Sequence, residues 1–198
     1  ILEVERKFLP NKSSMSRLRA SEGNPPFRSF KPLGVCHMHD VYYDSNDMLL
    51  SQGIYVRLRN GTWEAKVRQG GNYTNSQFRE YEGEEGIVEI VKRAWEMRDG
   101  NGQEIKGYEK TDTVLQRLKP IAEFKTKREE WAIDGFRVVV DQADFGHTVG
   151  EVELCFDVEN EGEEVGLEMD EKIEEFMKEH IWAFPEGKAV GKLTAYWQ

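Results

Sequence analysis

The sequence predicts an α+β fold: a closed eight-stranded antiparallel β-barrel, a tunnel, with helices packed outside it. Three observations predict this. Eight segments alternate polar and apolar residues with period two, as strands with one covered face do. The charges on those segments are sorted by strand instead of scattered. Other segments carry one apolar stripe at helical spacing and can cover the strands' apolar faces. Closure also removes exposed sheet edges.

Strands are expected near 1–9, 38–44, 54–60, 62–68, 77–83, 122–133, 135–143 and 148–157. In "ILEVERKF", Glu3, Glu5 and Lys7 project to one side, Leu2, Val4 and Phe8 to the other. In "IYVRLR", Tyr55, Arg57 and Arg59 oppose Ile54, Val56 and Leu58; in "EVELCF", Glu151, Glu153 and Cys155 oppose Val152, Leu154 and Phe156. Asp141 shares a face with Arg137 and Val139. Asn60-Gly61 reads as a tight hairpin turn because both residues tolerate positive φ, and Asp134-Gly135 reads as another.

A helix is expected over 85–100, where Ile87, Ile90, Val91, Ala94 and Trp95 form one stripe. A weaker one covers 111–118, and a third covers 168–180 with Met169, Ile173, Phe176 and Met177 on one side. The end, "KAVGKLTAYWQ", reads as a short helix or an extended tail. Acidic clusters at 82–85 and 159–164 read as solvated loops.

A length of 198 residues suits one domain over 1–198. With 38% hydrophobic and 32% charged residues, the composition is that of a globular protein. No apolar run reaches the roughly 18 residues of a membrane span, and the start shows no signal-peptide pattern. Cys36 and Cys155 lie outside any Cys-x-x-Cys pattern, so a reduced, cytoplasmic protein is expected. The net charge of −10 argues against nucleic acid as a partner. A monomer with neither nucleic-acid nor membrane partner is the expectation.

Several motifs are excluded. "GKAVGKLT" is one residue short of a phosphate-binding loop, and Leu193 follows Lys192 where Ser or Thr belongs. Cys36, His37 and His39 have no second ligand cluster at zinc-finger spacing. His147 and His180 are expected at the surface or in loops. What remains is the sorted charge. A charged interior is costly if unpaired, but it suits a wet channel that binds a highly charged ligand. Arginine forks and lysines suit phosphate oxygens, and paired carboxylates suit a hard divalent cation. Together they describe a metal-assisted polyphosphate site.

"LEVERKF" resembles the Glu-x-Glu-x-Lys signature of the CYTH superfamily, the triphosphate tunnel metalloenzymes, and "GEVE" at 150–153 resembles that family's closing acidic strand. "DVYYDS", "WEAK", "TKREEW" and "DQADFGHTVGEVE" are similar to its eukaryotic thiamine triphosphatase branch. The likeness runs from residue 2 to about 153 and returns at "GKLTAYW".

The resemblance implies hydrolysis of a triphosphate with Mg2+, for which Mn2+ can substitute. It implies Glu3, Glu5, Glu151 and Glu153 as metal ligands, and Lys7, Arg57, Arg59, Lys66, Arg128 and Lys192 as phosphate-binding cations. Tyr42 and Lys66 match a catalytic tyrosine–lysine pair. Tyr55 holds the place of an aromatic residue that stacks on the thiamine ring, and Glu80, with Glu82 as a rival of equal parity, matches a contact to the aminopyrimidine. Mammalian members carry a further acid where this chain has Val139, and Asp141 on the same strand face is expected to substitute as a metal ligand. The implied reaction converts thiamine triphosphate to thiamine diphosphate and phosphate. An inorganic or nucleoside triphosphatase, or a polyphosphate-binding module without turnover, are the alternatives.

Overall fold

The computed structural model describes residues 1–72, 75–99, 111–156 and 163–198. In chain order the elements are β1 (Leu2–Phe8), α1 (Lys12–Ala20), β2 (Phe30–Asp44), β3 (Ile54–Arg59), β4 (Thr62–Gly71), β5 (Asn75–Glu82), α2 (Glu84–Asp99), α3 (Thr111–Leu115), β6 (Lys119–Ile133), β7 (Phe136–Ala143), β8 (Thr148–Phe156), α4 (Glu163–Glu179) and α5 (Lys192–Tyr196). The eight strands close into an antiparallel barrel in the order β1-β5-β4-β3-β2-β6-β7-β8, as the alternation predicts. The described residues group into two compact units. Ile1–Met38, Gln69–Phe78 and Lys125–Gln198 make the first; His39–Arg68 and Arg79–Phe124 make the second.

In the first unit β1 pairs with β8, β8 with β7 and β7 with β6, all antiparallel. Leu2, Val4 and Phe8 join Val138, Val140 and Val152 in a core that Met169, Ile173 and Phe176 of α4 and Met15 and Leu18 of α1 cover. Period two therefore hands one face of these strands to the helices and leaves the other to Glu3, Glu5 and Lys7. The packing is tight: the Phe8 ring meets Phe184 edge-on at 5.2 Å, and a Cβ added at Gly150 would lie 2.2 Å from the Phe8 ring.

Helix α1 was not expected, because its apolar stripe is only Met15 and Leu18. Its start is nonetheless well defined: Asn11 accepts from the Ser14 amide, and Ser14 Oγ accepts from the Asn11 amide, a reciprocal cap. His180 corrects a second expectation. It is buried rather than at the surface, its ring 4.8 Å from those of both Phe27 and Phe176 and its Nδ1 3.0 Å from the Phe176 carbonyl.

In the second unit β3 pairs with β2 and β4. Asn60 (φ 48°) and Gly61 (φ 87°) make the expected turn between β3 and β4. Ile54, Val56 and Ala65 pack on Ile87, Val91 and Ala94 of α2. The acidic residues of 82–85 are exposed, but they end β5 and open α2 rather than forming a loop; Glu84 and Glu85 fall in the first helical turn, where negative charge is favourable. Of the other acidic cluster, 159–162 lies outside the described residues, and 163–164 begin α4.

Strand β2 begins at Phe30, eight residues before its expected start. Pro32 and Gly34 (φ 117°) hide the extension, since both break the strand pattern. Helix α4 likewise begins ahead of 168. Among the described residues no helix is long and apolar enough to cross a membrane.

Candidate active site

The first unit gathers carboxylates. Pairing of β1 with β8 sets Glu5 opposite Glu153 and Lys7 opposite Glu151. Glu3, Glu5 and Glu153 are buried and each offers an oxygen within 4.8 Å of the others. Burial first, then Glu3, and also Glu151, push the Glu153 carboxyl up to about 8, against the pull of Arg128 and Arg137. Lys7 engages Glu5 and lies 3.9 Å from Glu151. Arg137 donates to Glu153 Oε2 at 2.9 Å and to Glu130 at 2.8 Å. Crowded, buried, hard oxygen donors fit a divalent cation.

Asp141 stands apart from that group. Arg128 donates to both of its oxygens, from Nε at 2.7 Å and from Nη2 at 2.8 Å, and Lys192 donates to Oδ2. Burial alone would raise this carboxyl, but Lys192 and Arg128 outweigh it and hold the group below the usual carboxylate range. Arg128 Nη2 also lies 3.7 Å from Glu151. Lys192 reaches this position from the first residue of α5, and Gly191 before it leaves room for the Lys7 side chain: a Cβ there would lie 3.3 Å from Lys7 Cε. Val139, fully buried, sits opposite Glu151 in the β7–β8 register, so the position carries no ligand atom.

The second unit gathers the arginines. Registers set Tyr42 opposite Arg57, Asp40 opposite Arg59, and Arg57 opposite Glu64. Arg59 forks onto Asp40 with two bonds of 2.7 Å. Arg57 donates to Glu64 at 2.8 Å and to the Tyr42 hydroxyl at 3.3 Å. Burial disfavours its charge, but Tyr42, Asp40 and Glu64 outweigh burial and raise its pKa, so it stays cationic. Lys66 pairs with Glu80 at 3.1 Å, and Arg68 donates to the Tyr55 hydroxyl at 3.4 Å. Glu82 is exposed, unlike Glu80. Tyr42 and Lys66 are not hydrogen-bonded to each other; the hydroxyl belongs to Arg57.

The structure thus brings Glu3, Glu5 and Glu153 together, with Lys7 beside them. It links Arg128, Lys192 and Asp141, and it links Arg57 with Tyr42. The sequence reading missed Asp40, Glu64, Glu130 and Arg137 as partners of site residues. The signal for one of them was present: the Asn60-Gly61 turn fixes the β3–β4 register, and that register sets Glu64 against Arg57. Arg137 was placed on the correct face but given no partner.

A family model described as the CYTH domain matches residues 2–181, and the chain belongs to that family. Human thiamine-triphosphatase is 29% identical over 177 residues, covering 81% of this chain and 71% of that protein. Among solved structures, the PH1819 protein of Pyrococcus horikoshii OT3 superposes with a TM-score of 0.61 at 17% identity, covering 96% of each chain. A putative adenylyl cyclase from Hippeastrum, described as having a dominant triphosphatase activity, superposes with a TM-score of 0.55 at 19% identity, covering 98% of this chain and 95% of that one. At those identities the structural likenesses speak for the fold.

Proposed function

We propose that this protein is a metal-dependent phosphohydrolase that releases the terminal phosphate of thiamine triphosphate. The observation that carries the reading is the buried group of Glu3, Glu5 and Glu153, with Lys7 on Glu5 and Arg128 acting on Glu151 and Glu153. The likeness to human thiamine-triphosphatase supports the substrate. Glu3, Glu5 and Glu153, with Glu151 nearby, would hold Mg2+, with Mn2+ as a substitute. Bound there, the ion would neutralise and polarise phosphate oxygens.

The chain's own residues then have these roles. Lys7, Arg128, Lys192, Arg57, Arg59 and Lys66 are each assigned to phosphate oxygens, as the family resemblance implies. Tyr42 holds one end of the Arg57 fork. When water adds to the terminal phosphorus, the bond to the bridging oxygen breaks, and that oxygen leaves on thiamine diphosphate; Lys66 stabilises its charge or gives it a proton. Tyr55 offers a ring for the cationic thiazolium, and Glu80 a carboxylate for the aminopyrimidine. Neither Cys36 nor Cys155 is in a disulfide, which suits a reducing compartment such as the cytoplasm.

One observation favours a second reading, inorganic tripolyphosphatase: Glu80 is already paired with Lys66, which weakens it as a selector of an organic group. Phosphate release from thiamine triphosphate, tripolyphosphate and ATP, each with Mg2+, Mn2+ or chelator, separates the two. Preference for thiamine triphosphate supports the proposal. Comparable turnover of all three contradicts the thiamine assignment, and no release from any contradicts the hydrolase.

A further inference from the structure

We infer that Asp141 is a positioning residue, not a metal ligand: it fixes Arg128 and Lys192 as a two-cation cradle for one phosphate group. The inference rests on the triphosphatase reading for its ligand, but its geometry is independent of that reading.

The argument starts from what Asp141 is attached to. Its carboxylate is fully buried, and three donors from two cations occupy its two oxygens. A divalent cation on those oxygens would have to lie against a guanidinium and an ammonium in a dry environment, where like charges repel strongly. The group that does suit a cation, Glu3, Glu5 and Glu153, does not include Asp141.

The donors left over point to the role. Arg128 uses Nε and Nη2 on Asp141, and Nη1 makes no hydrogen bond among the described residues. Lys192 spends one ammonium hydrogen on Asp141 and has no other hydrogen bond among them. The trio of one carboxylate and two cations keeps a net positive charge and unspent donors. A fork held on one side is pre-organised on the other, so less side-chain entropy is lost when an oxyanion binds. The contact also ties the C-terminal helix to the sheet. Without it the Lys192 ammonium, on a five-residue helix, would have no hydrogen-bond partner among the described residues.

The sign of one measurement separates the possibilities. A carboxylate that is only a negative neighbour repels phosphate, so removing it tightens anion binding. A positioning carboxylate does the opposite. The test measures tripolyphosphate binding by calorimetry in chelator, and Mg2+ binding from the rise in unfolding temperature without phosphate, for wild type, Asp141→Asn and Asp141→Glu.

The expected result is that D141N binds tripolyphosphate about tenfold more weakly, the scale of one lost charge-assisted contact. Its Mg2+ affinity stays within about twofold of wild type, and D141E recovers part of the anion affinity. Loss of Mg2+ affinity, or anion binding that is unchanged or tighter, overturns the inference. If D141N does not fold, D141E carries the same comparison, because it keeps the charge and shifts the cradle. Wild type that binds tripolyphosphate without hydrolysing it overturns the hydrolase reading and leaves the cradle standing; wild type that does not bind it overturns both.

Discussion

Glu153→Gln should change how stability depends on pH, and the direction can be worked out. In the metal-free protein the Glu153 carboxyl is raised from 4.5 to about 8. It faces Glu3, Glu5 and Glu151 on one side and Arg128 and Arg137 on the other. Below about pH 4.5 it is protonated in both folded and unfolded chains, and it has no effect on stability. Between about 4.5 and 8 the unfolded chain releases the proton and the folded one keeps it, so stability falls as pH rises. Above about 8 the full penalty is present, and a rise of that size corresponds to roughly 5 kcal/mol. For a chain of this length that is on the order of ten degrees in unfolding temperature. Glutamine keeps the shape and never ionises. In chelator, therefore, the wild-type melting temperature should drop between pH 5 and 8.5 more steeply than that of E153Q. Saturating Mg2+ should restore the wild type at pH 8 and do little for the variant, because a bound cation replaces the proton. Parallel profiles for the two proteins would refute the reasoning.

Two further outcomes are expected. Arg57→Ala removes a half-buried fork and should raise KM for the triphosphate about tenfold or more while lowering kcat less, read from steady-state phosphate release; an unchanged KM would remove Arg57 from the binding set. Gly150→Ala drives a methyl into the Phe8 ring and should destabilise by about 1–3 kcal/mol in denaturant titration, with a neutral result showing that Phe8 has room to move.

Much of the barrel was legible because period two is a local signal. Glu3, Glu5 and Lys7 on one face and Leu2, Val4 and Phe8 on the other follow from strand geometry alone. The hairpins carried more. Asp134-Gly135 fixes the β6–β7 register, so Arg128 facing Asp141 was within reach of the sequence. Glu5 facing Glu153 was not, since β1 and β8 are joined by no turn and their pairing is a product of closure. The extension of β2 through Phe30 was hidden by Pro32 and Gly34. Helix α1 was hidden because its stability comes from a cap and two buried side chains, not from a long stripe. His180 follows the charged pair Lys178-Glu179 at the end of α4; only packing against Phe27 and Phe176 reveals it as core. Asp141 shows the limit most clearly: parity gave its face, but whether a carboxylate holds a metal or two cations depends on what else arrives there, and Lys192 comes from the far end of the chain.

Phosphate release from thiamine triphosphate with and without Mg2+, for wild type and Glu5→Gln, tests the account most directly. It predicts Mg2+-dependent release by the wild type, at least about a hundredfold less by E5Q, and a variant that remains folded. Equal release by both proteins, or release by the wild type that persists in chelator, would contradict it.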